Sequence, residues 1–105
     1  MVGESIGDAI RAVLREYGAT LDVAPALVPD SISAENYRVE TNRGTFFVKR
    51  YRESRPRDRM VKEQAAIAWA AANGLPVARP LATQRGETLH ECEGRWWSVS
   101  PWVEG

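Results

Sequence analysis

Apolar and polar positions recur along this chain with two different periods, and each change of period marks an element. From about Ser5 to Tyr17, the residues Ile6, Ile10, Val13, Leu14 and Tyr17 fall on one stripe with charges opposite, which predicts an amphipathic helix. Ser5 followed by Asp8 resembles a capping box with Asp in place of Glu, and Gly18 supplies a stop signal. The period then shortens: "ALVPDSI", "NYRVET" and "TFFVKRY" are short β-prone runs, the last two separated by the turn-forming "NRG", so three strands are expected, the last two as a hairpin. After "RESRPRD" comes "RMVKEQAAIAWAAANG", an alanine-rich helix ending at Gly74, with Leu75 and Pro76 beyond it. "RPLAT" reads as extended, and "ETLHECEGRWWSVSPWVEG" holds two more strands around the turn at 93–94. The expected fold is α+β: an antiparallel β-sheet of about five strands with one packed helix and an N-terminal helix.

The strand at 44–51 carries a lysine among apolar residues. Side chains alternate across a strand, so Phe47, Lys49 and Tyr51 share one face and Phe46, Val48 and Arg50 the other. On the helix that follows, Met60, Ile67 and Ala71 form the centre of the apolar stripe, and Glu63 falls about 40° from Ile67 on the helical wheel. Glu63 is also the sole acid past that helix's first turn. The pattern aims one carboxylate at the sheet and predicts a Lys49–Glu63 ion pair between strand and helix. The competing reading has Lys49 snorkelling from a sheet edge and Glu63 solvating a helix flank.

Length and charge narrow the picture. The 105 residues suit one domain, 1–105, in which 1–25 supply the N-terminal helix and a linker and 26–105 the rest. Fourteen basic residues balance fourteen acidic ones, so net charge gives no reason to expect a polyanion or an anionic membrane as partner. One cysteine, Cys92, leaves no internal disulfide framework and fits a reducing compartment. The N-terminus has neither a signal-peptide core nor a membrane span, so cytoplasm is the expected location.

Three other features suggest chemistry. His90 and Cys92 share a strand face, but a metal site wants three or four ligands, and none is expected. "KRYRESRPRDR" is basic enough to meet nucleic-acid phosphates, yet Glu53 and Asp58 are interleaved with it, which suits a solvated loop and makes nucleic acid an unexpected partner. Trp96 and Trp97 are adjacent in a strand and must face opposite sides, one in the core and the other against a helix or a neighbouring lobe.

An apolar strand bearing a lysine, then a loop, then a helix bearing a glutamate is the arrangement with which protein kinases hold the α- and β-phosphates of ATP. "NYRVETNRGTFFVKRY", the helix with Glu63, "NGLPVARPLAT" and "WWSVSPWVEG" together resemble the N-terminal lobe of the aminoglycoside phosphotransferase family, which includes choline kinase-like and type II homoserine kinase-like members. The resemblance spans about residues 26–105 and is most specific at "GLPVARP" and "PWVEG". It implies a protein-kinase-like fold and transfer of a nucleotide's γ-phosphoryl group to a small-molecule hydroxyl.

Carried onto this sequence, the resemblance makes Lys49 the phosphate-binding lysine and Glu63 its helix partner. Ser33, Ala34, Glu35 and Asn36 become the loop over the phosphates, between the first two strands. Ser100 lines the back of the adenine pocket, while the carbonyl of Pro101 and the amide of Val103 meet the adenine edge. Two departures stand out. "SISAEN" has no glycine where backbone should approach phosphate closely, and an ordinary β-turn with Asn36 bonding its own backbone is the alternative there. Phe47 stands where something smaller usually faces adenine, so it either stacks on the base or partly fills its site.

The aspartates and asparagine that serve the acceptor hydroxyl and Mg²⁺ in kinases belong to a second, C-terminal lobe, and "HECEG" around His90 is not that catalytic loop. No catalytic residue is therefore expected in this chain. ATP is the implied cofactor, with Mg²⁺ held through the C-terminal lobe, and the implied partners are nucleotide and that lobe. The isolated chain is expected to be inert and to self-associate through apolar groups such as Trp102, Val103 and Phe47. The rival function is a non-catalytic interaction module, an adaptor or a weak nucleic-acid binder using the basic 49–62 stretch.

Overall fold

Two helices lie against opposite faces of one sheet in the computed structural model, which describes residues 6–29, 34–52, 56–92 and 94–102. The elements in chain order are α1 (Ile6–Glu16), β1 (Ala26–Val28), β2 (Ala34–Thr41), β3 (Gly44–Tyr51), α2 (Arg57–Ala72), β4 (His90–Cys92) and β5 (Arg95–Pro101). All pairings are antiparallel, and the strand order is β1-β2-β3-β5-β4. The fold is α+β, as the hydrophobic pattern predicts, and the arrangement is that of a kinase-like N-terminal lobe.

Both helices stop by the same device. Gly18 adopts φ +75°, which lets Ala19 N donate to Leu14 O at 3.0 Å and Gly18 N to Arg15 O at 3.1 Å. Gly74, at φ +80°, does likewise, with Leu75 N on Ala70 O at 3.0 Å and Gly74 N on Ala71 O at 3.2 Å. These Schellman-type ends satisfy carbonyls the helices would otherwise leave open, and they need a residue without a Cβ penalty at positive φ. The Ser5 cap lies outside the described residues. In the β2–β3 hairpin the turn is Asn42–Arg43, and Gly44 already belongs to β3, paired with Thr41.

The main core lies under α1. Ile10, Val13 and Leu14 pack onto Tyr37, Val39, Phe46, Val48, Trp97 and Val99, the inward-facing residues of β2, β3 and β5. Arg50 sits on this face too, beside the cross-strand Glu35. Its Nε donates to Glu35 Oε1 at 2.7 Å, Nη2 donates to the same oxygen, and its guanidinium lies 5.4 Å from the Trp97 ring centroid. Burial pushes the Glu35 carboxyl up, but the Arg50 hydrogen bond and charge, with Arg95 and Arg52 behind it, win and hold it below the usual carboxylate range. The segment before β4 is tied to the end of α1: Tyr17 Oη donates to Thr88 O at 3.2 Å and Gln84 N to Glu16 O at 2.9 Å. Burial, with the Glu87 charge adding to it, pushes the Tyr17 hydroxyl's pKa up.

The opposite face has a smaller core of Ala34, Tyr51, Met60 and Leu89, with Trp96 packed against it. The two adjacent tryptophans thus divide as expected, Trp97 under α1 and Trp96 beside α2. α2 is held lightly. Met60 and Gln64 are its buried residues, Ile67 and Ala71 are half-buried, and Trp69 is 65% exposed. The apolar stripe predicted for this helix is therefore tight at Met60 and loosens toward the C-terminus, because the residues facing the sheet there are mostly alanines too short to fill the gap.

Candidate functional site

Lys49 occupies the middle of β3, with Asn36 of β2 and Ser98 of β5 directly across from it. Alternation turns its side chain toward α2, where Nζ donates to Glu63 Oε1 at 3.1 Å. The side chains of Lys49 and Glu63 are 21% and 26% exposed, which places the pair in a cleft rather than in the core or in open solvent. The same Oε1 accepts a hydrogen bond from Tyr51 Oη at 2.7 Å, and the Lys49 ammonium lies 5.4 Å from the Tyr51 ring centroid. Glu63 reaches this point because its neighbour Gln64 is buried and anchored. Gln64 Nε2 donates to Thr88 O at 3.3 Å, and the Thr88 hydroxyl donates to Gln64 Oε1.

The pair lines a cavity of about 130 Å³, whose walls include Phe47, Ile67, Ala78, Ser98 and Ser100. Beyond Phe47 the same face continues into Trp102, with ring centroids 6.0 Å apart and planes tilted by 50°, and the Arg38 guanidinium lies 5.4 Å from the Trp102 centroid. A second cavity of about 610 Å³ opens on the other flank of α2, between Arg57, Val61 and Ala68 on one side and Arg79, Leu89 and Trp96 on the other. Gln64 and Pro80 line both cavities. The first presents a cation and two serine hydroxyls to a concave space, a set of donors suited to an anionic oxygen-rich ligand.

The structure forms the Lys49–Glu63 pair that strand alternation and the helical wheel predict, and Phe47 and Ser100 line the same cavity. Asn36 shares their face, but it belongs to β2, as do Ala34 and Glu35, so these residues are not the loop between the first two strands. The reason is pairing: Ala34 already lies opposite Tyr51, which extends the ladder to the end of β3 and rules out a turn at Asn36. Glu35 points to the other face, where Arg50 holds it. Pro101 ends β5, paired with Phe46, while Ser33 and Val103 lie outside the described residues. Tyr51 and Gln64 are the site residues that sequence reasoning missed. Both carried a signal, Tyr51 at two residues from Lys49 on one strand face and Gln64 at four residues from Met60 on one helix face.

The remaining candidates lie elsewhere. His90 pairs with Trp97 and Cys92 packs against the main core, both on the α1 side, and among the described residues no three His, Cys, Asp or Glu side chains cluster. The basic stretch does not make one surface at its start, since Lys49 and Arg50 face opposite sides of the sheet and each meets a glutamate. Among the described residues no helix is long and apolar enough to cross a membrane.

Residues 26–105 match the sequence model of the phosphotransferase enzyme family. The chain is also 29% identical over 89 residues to the homoserine kinase of Caulobacter sp. (strain K31), an alignment that covers 84% of this chain and 28% of that protein. The site described above lies wholly within the matched span.

Proposed function

The chain belongs to the phosphotransferase enzyme family, and from that premise we propose that residues 26–105 are its nucleotide-binding lobe, serving ATP-dependent phosphoryl transfer to a small-molecule hydroxyl. The observation that carries the reading is the Lys49–Glu63 pair, 3.1 Å across β3 and α2 at the edge of a concave site. In this role the Lys49 ammonium supplies charge to the α- and β-phosphates, and Glu63 fixes the lysine's rotamer so that little ordering remains when nucleotide arrives. Asn36, across from Lys49 on the same face of the sheet, would meet the phosphates, a role that the sequence resemblance also gives to Ser33. The base would extend along Phe47 to Ser100 and the backbone of Pro101, with Val103 assigned to it by the sequence resemblance.

The size of the cavity supports a two-part site. Small-molecule pockets usually measure roughly 300–1,000 Å³, whereas the space beside Lys49 is about 130 Å³. This lobe would supply one wall, and a C-terminal lobe the other, along with the base and the Mg²⁺ ligands that kinase chemistry requires. The chain covers only 28% of the homoserine kinase it resembles, room enough for such a lobe. On this reading Lys49 binds and orients without breaking any bond, the lobe alone does not turn over ATP, and the protein works in the cytoplasm.

Calorimetric titration of the protein with ATP, with and without Mg²⁺, tests the reading. Lys49→Ala should weaken binding by roughly tenfold or more, the scale of one charge-assisted contact. Equal affinity in wild type and variant would remove the phosphate role from Lys49.

A further inference from the structure

The Lys49–Glu63 pair has a third member. Tyr51 is buried to 1% exposure, its ring packed with Met60, Leu89 and Ala34, yet its hydroxyl comes out of that core at Glu63 Oε1. The distance, 2.7 Å, is shorter than the 3.1 Å from Lys49 Nζ to the same oxygen. Because strand side chains alternate, a lysine and a tyrosine two residues apart on β3 reach one carboxylate from the same face. We infer that Tyr51 is a positioning residue, which keeps the Glu63 carboxylate turned toward the sheet whether or not Lys49 is engaged with phosphate.

One observation and one consequence of the proposed function call for such a residue. α2 is lightly packed, with cavities on both flanks and Met60 and Gln64 as its buried residues, so apolar contact does little to fix its rotation. Moreover, on the proposed reading the partner of Glu63 is not constant. Phosphate oxygens compete for the three N–H donors of Lys49, and the share left to Glu63 falls when nucleotide binds. The Tyr51 hydroxyl is neutral and rooted in the small core, so it stays with Glu63 while the lysine turns to the ligand. The ring has a second effect: it lines the same cavity as Lys49 and lies 5.4 Å from the ammonium, close enough for its face to attract the cation.

The inference rests on the nucleotide-lobe reading for its purpose but not for its geometry, and the test separates the two. Wild type, Tyr51→Phe, Glu63→Gln and the double variant would be compared in two measurements. The first is the acylation rate of Lys49 by acetic anhydride without nucleotide, mapped by mass spectrometry. Tyr51→Phe should raise it several-fold, because a loosened Glu63 no longer holds the ammonium, and Glu63→Gln should leave nothing further for the tyrosine substitution to change. The second is ATP affinity, where each single variant should bind roughly three- to tenfold more weakly and the double no more weakly than Glu63→Gln. Phe preserves the buried ring, so a packing role alone would move neither readout. Additive effects, or a Tyr51→Phe protein with wild-type acylation, would overturn the assignment. Coupled acylation in a wild-type protein that binds no ATP would uphold the positioning of Glu63 and reject the nucleotide reading.

Discussion

Glu35 and Glu63 are both glutamates facing a strand cation, and their surroundings give them different work. Glu63 sits in the cleft beside Lys49, whereas Glu35 is a structural acid on the α1 face, held below its ordinary pKa by Arg50 against the opposing effect of burial. A carboxyl whose pKa is lower in the folded than in the unfolded chain stabilises the fold fully above its unfolded value, near about 4.3 for Glu, and this contribution is lost as pH falls through the folded value. Urea midpoints of wild type and Glu35→Gln should therefore differ by a constant amount at neutral pH and converge below about pH 4. Curves that stay parallel to pH 3 would show that Arg50 gives Glu35 no preferential stabilisation. At this scale the sequence was most legible where one repeat fixed a residue's direction. Strand alternation puts Lys49 on one face of β3 and the helical wheel puts Glu63 near the apolar stripe of α2, which makes the pair a candidate; the face on which α2 packs decides between it and a snorkelling lysine. Whether the Tyr51 hydroxyl also reaches that carboxylate depends on how high α2 rides above the sheet, and whether Asn36 sits in a turn or a strand depends on its pairing with β3. Both are non-local quantities that no repeat encodes.

Among the elements, α1 carries more of the fold than its position suggests. It lies before the residues that match the family, yet Ile10, Val13 and Leu14 supply the helical half of the main core. Val39, Val48, Trp97 and Val99 have no comparable cover from α2, which packs on the other face. Leu14 is fully buried, so Leu14→Ala should cost about 2–5 kcal/mol, read from chemical denaturation. A chain begun at residue 26 should lose cooperative unfolding, and a sharp transition in that shortened chain would show that the sheet stands without its helix. The stripe of α1 was readable because the helix is amphipathic and packs along its whole length. α2 was harder, since alanines on most sides leave its inward face weakly marked, and Gln64, a polar residue, turns out to be one of its two buried side chains.

At the scale of the molecule, the distribution of exposed apolar groups decides how this lobe meets its surroundings. The sequence pointed to Trp102, Val103 and Phe47 as uncovered; Val103 lies outside the described residues, while the rings of Phe47 and Trp102 are half-buried against each other and Arg38 lies over the second. Among the described residues, four of the six exposed large apolar side chains, Val61, Trp69, Leu75 and Val77, lie on α2 and just beyond it, while Val23 and Leu27 lie before and in β1. Trp69 is about 120° around the helix from Glu63, so it can be covered without closing the cleft beside Lys49. Apolar surface of this kind on a small domain tends to find a partner. Supplied alone, the lobe should associate with itself through α2, and sedimentation over a wide concentration range should show weight-average mass rising with concentration. Trp69→Glu should return it to monomer, because burying a carboxylate in such a contact is costly, while leaving the Lys49–Glu63 pair and any nucleotide affinity unchanged. A wild-type chain that remains monomeric throughout, or a Trp69→Glu chain that associates as strongly, would show that this face of α2 is not where the lobe makes its contacts.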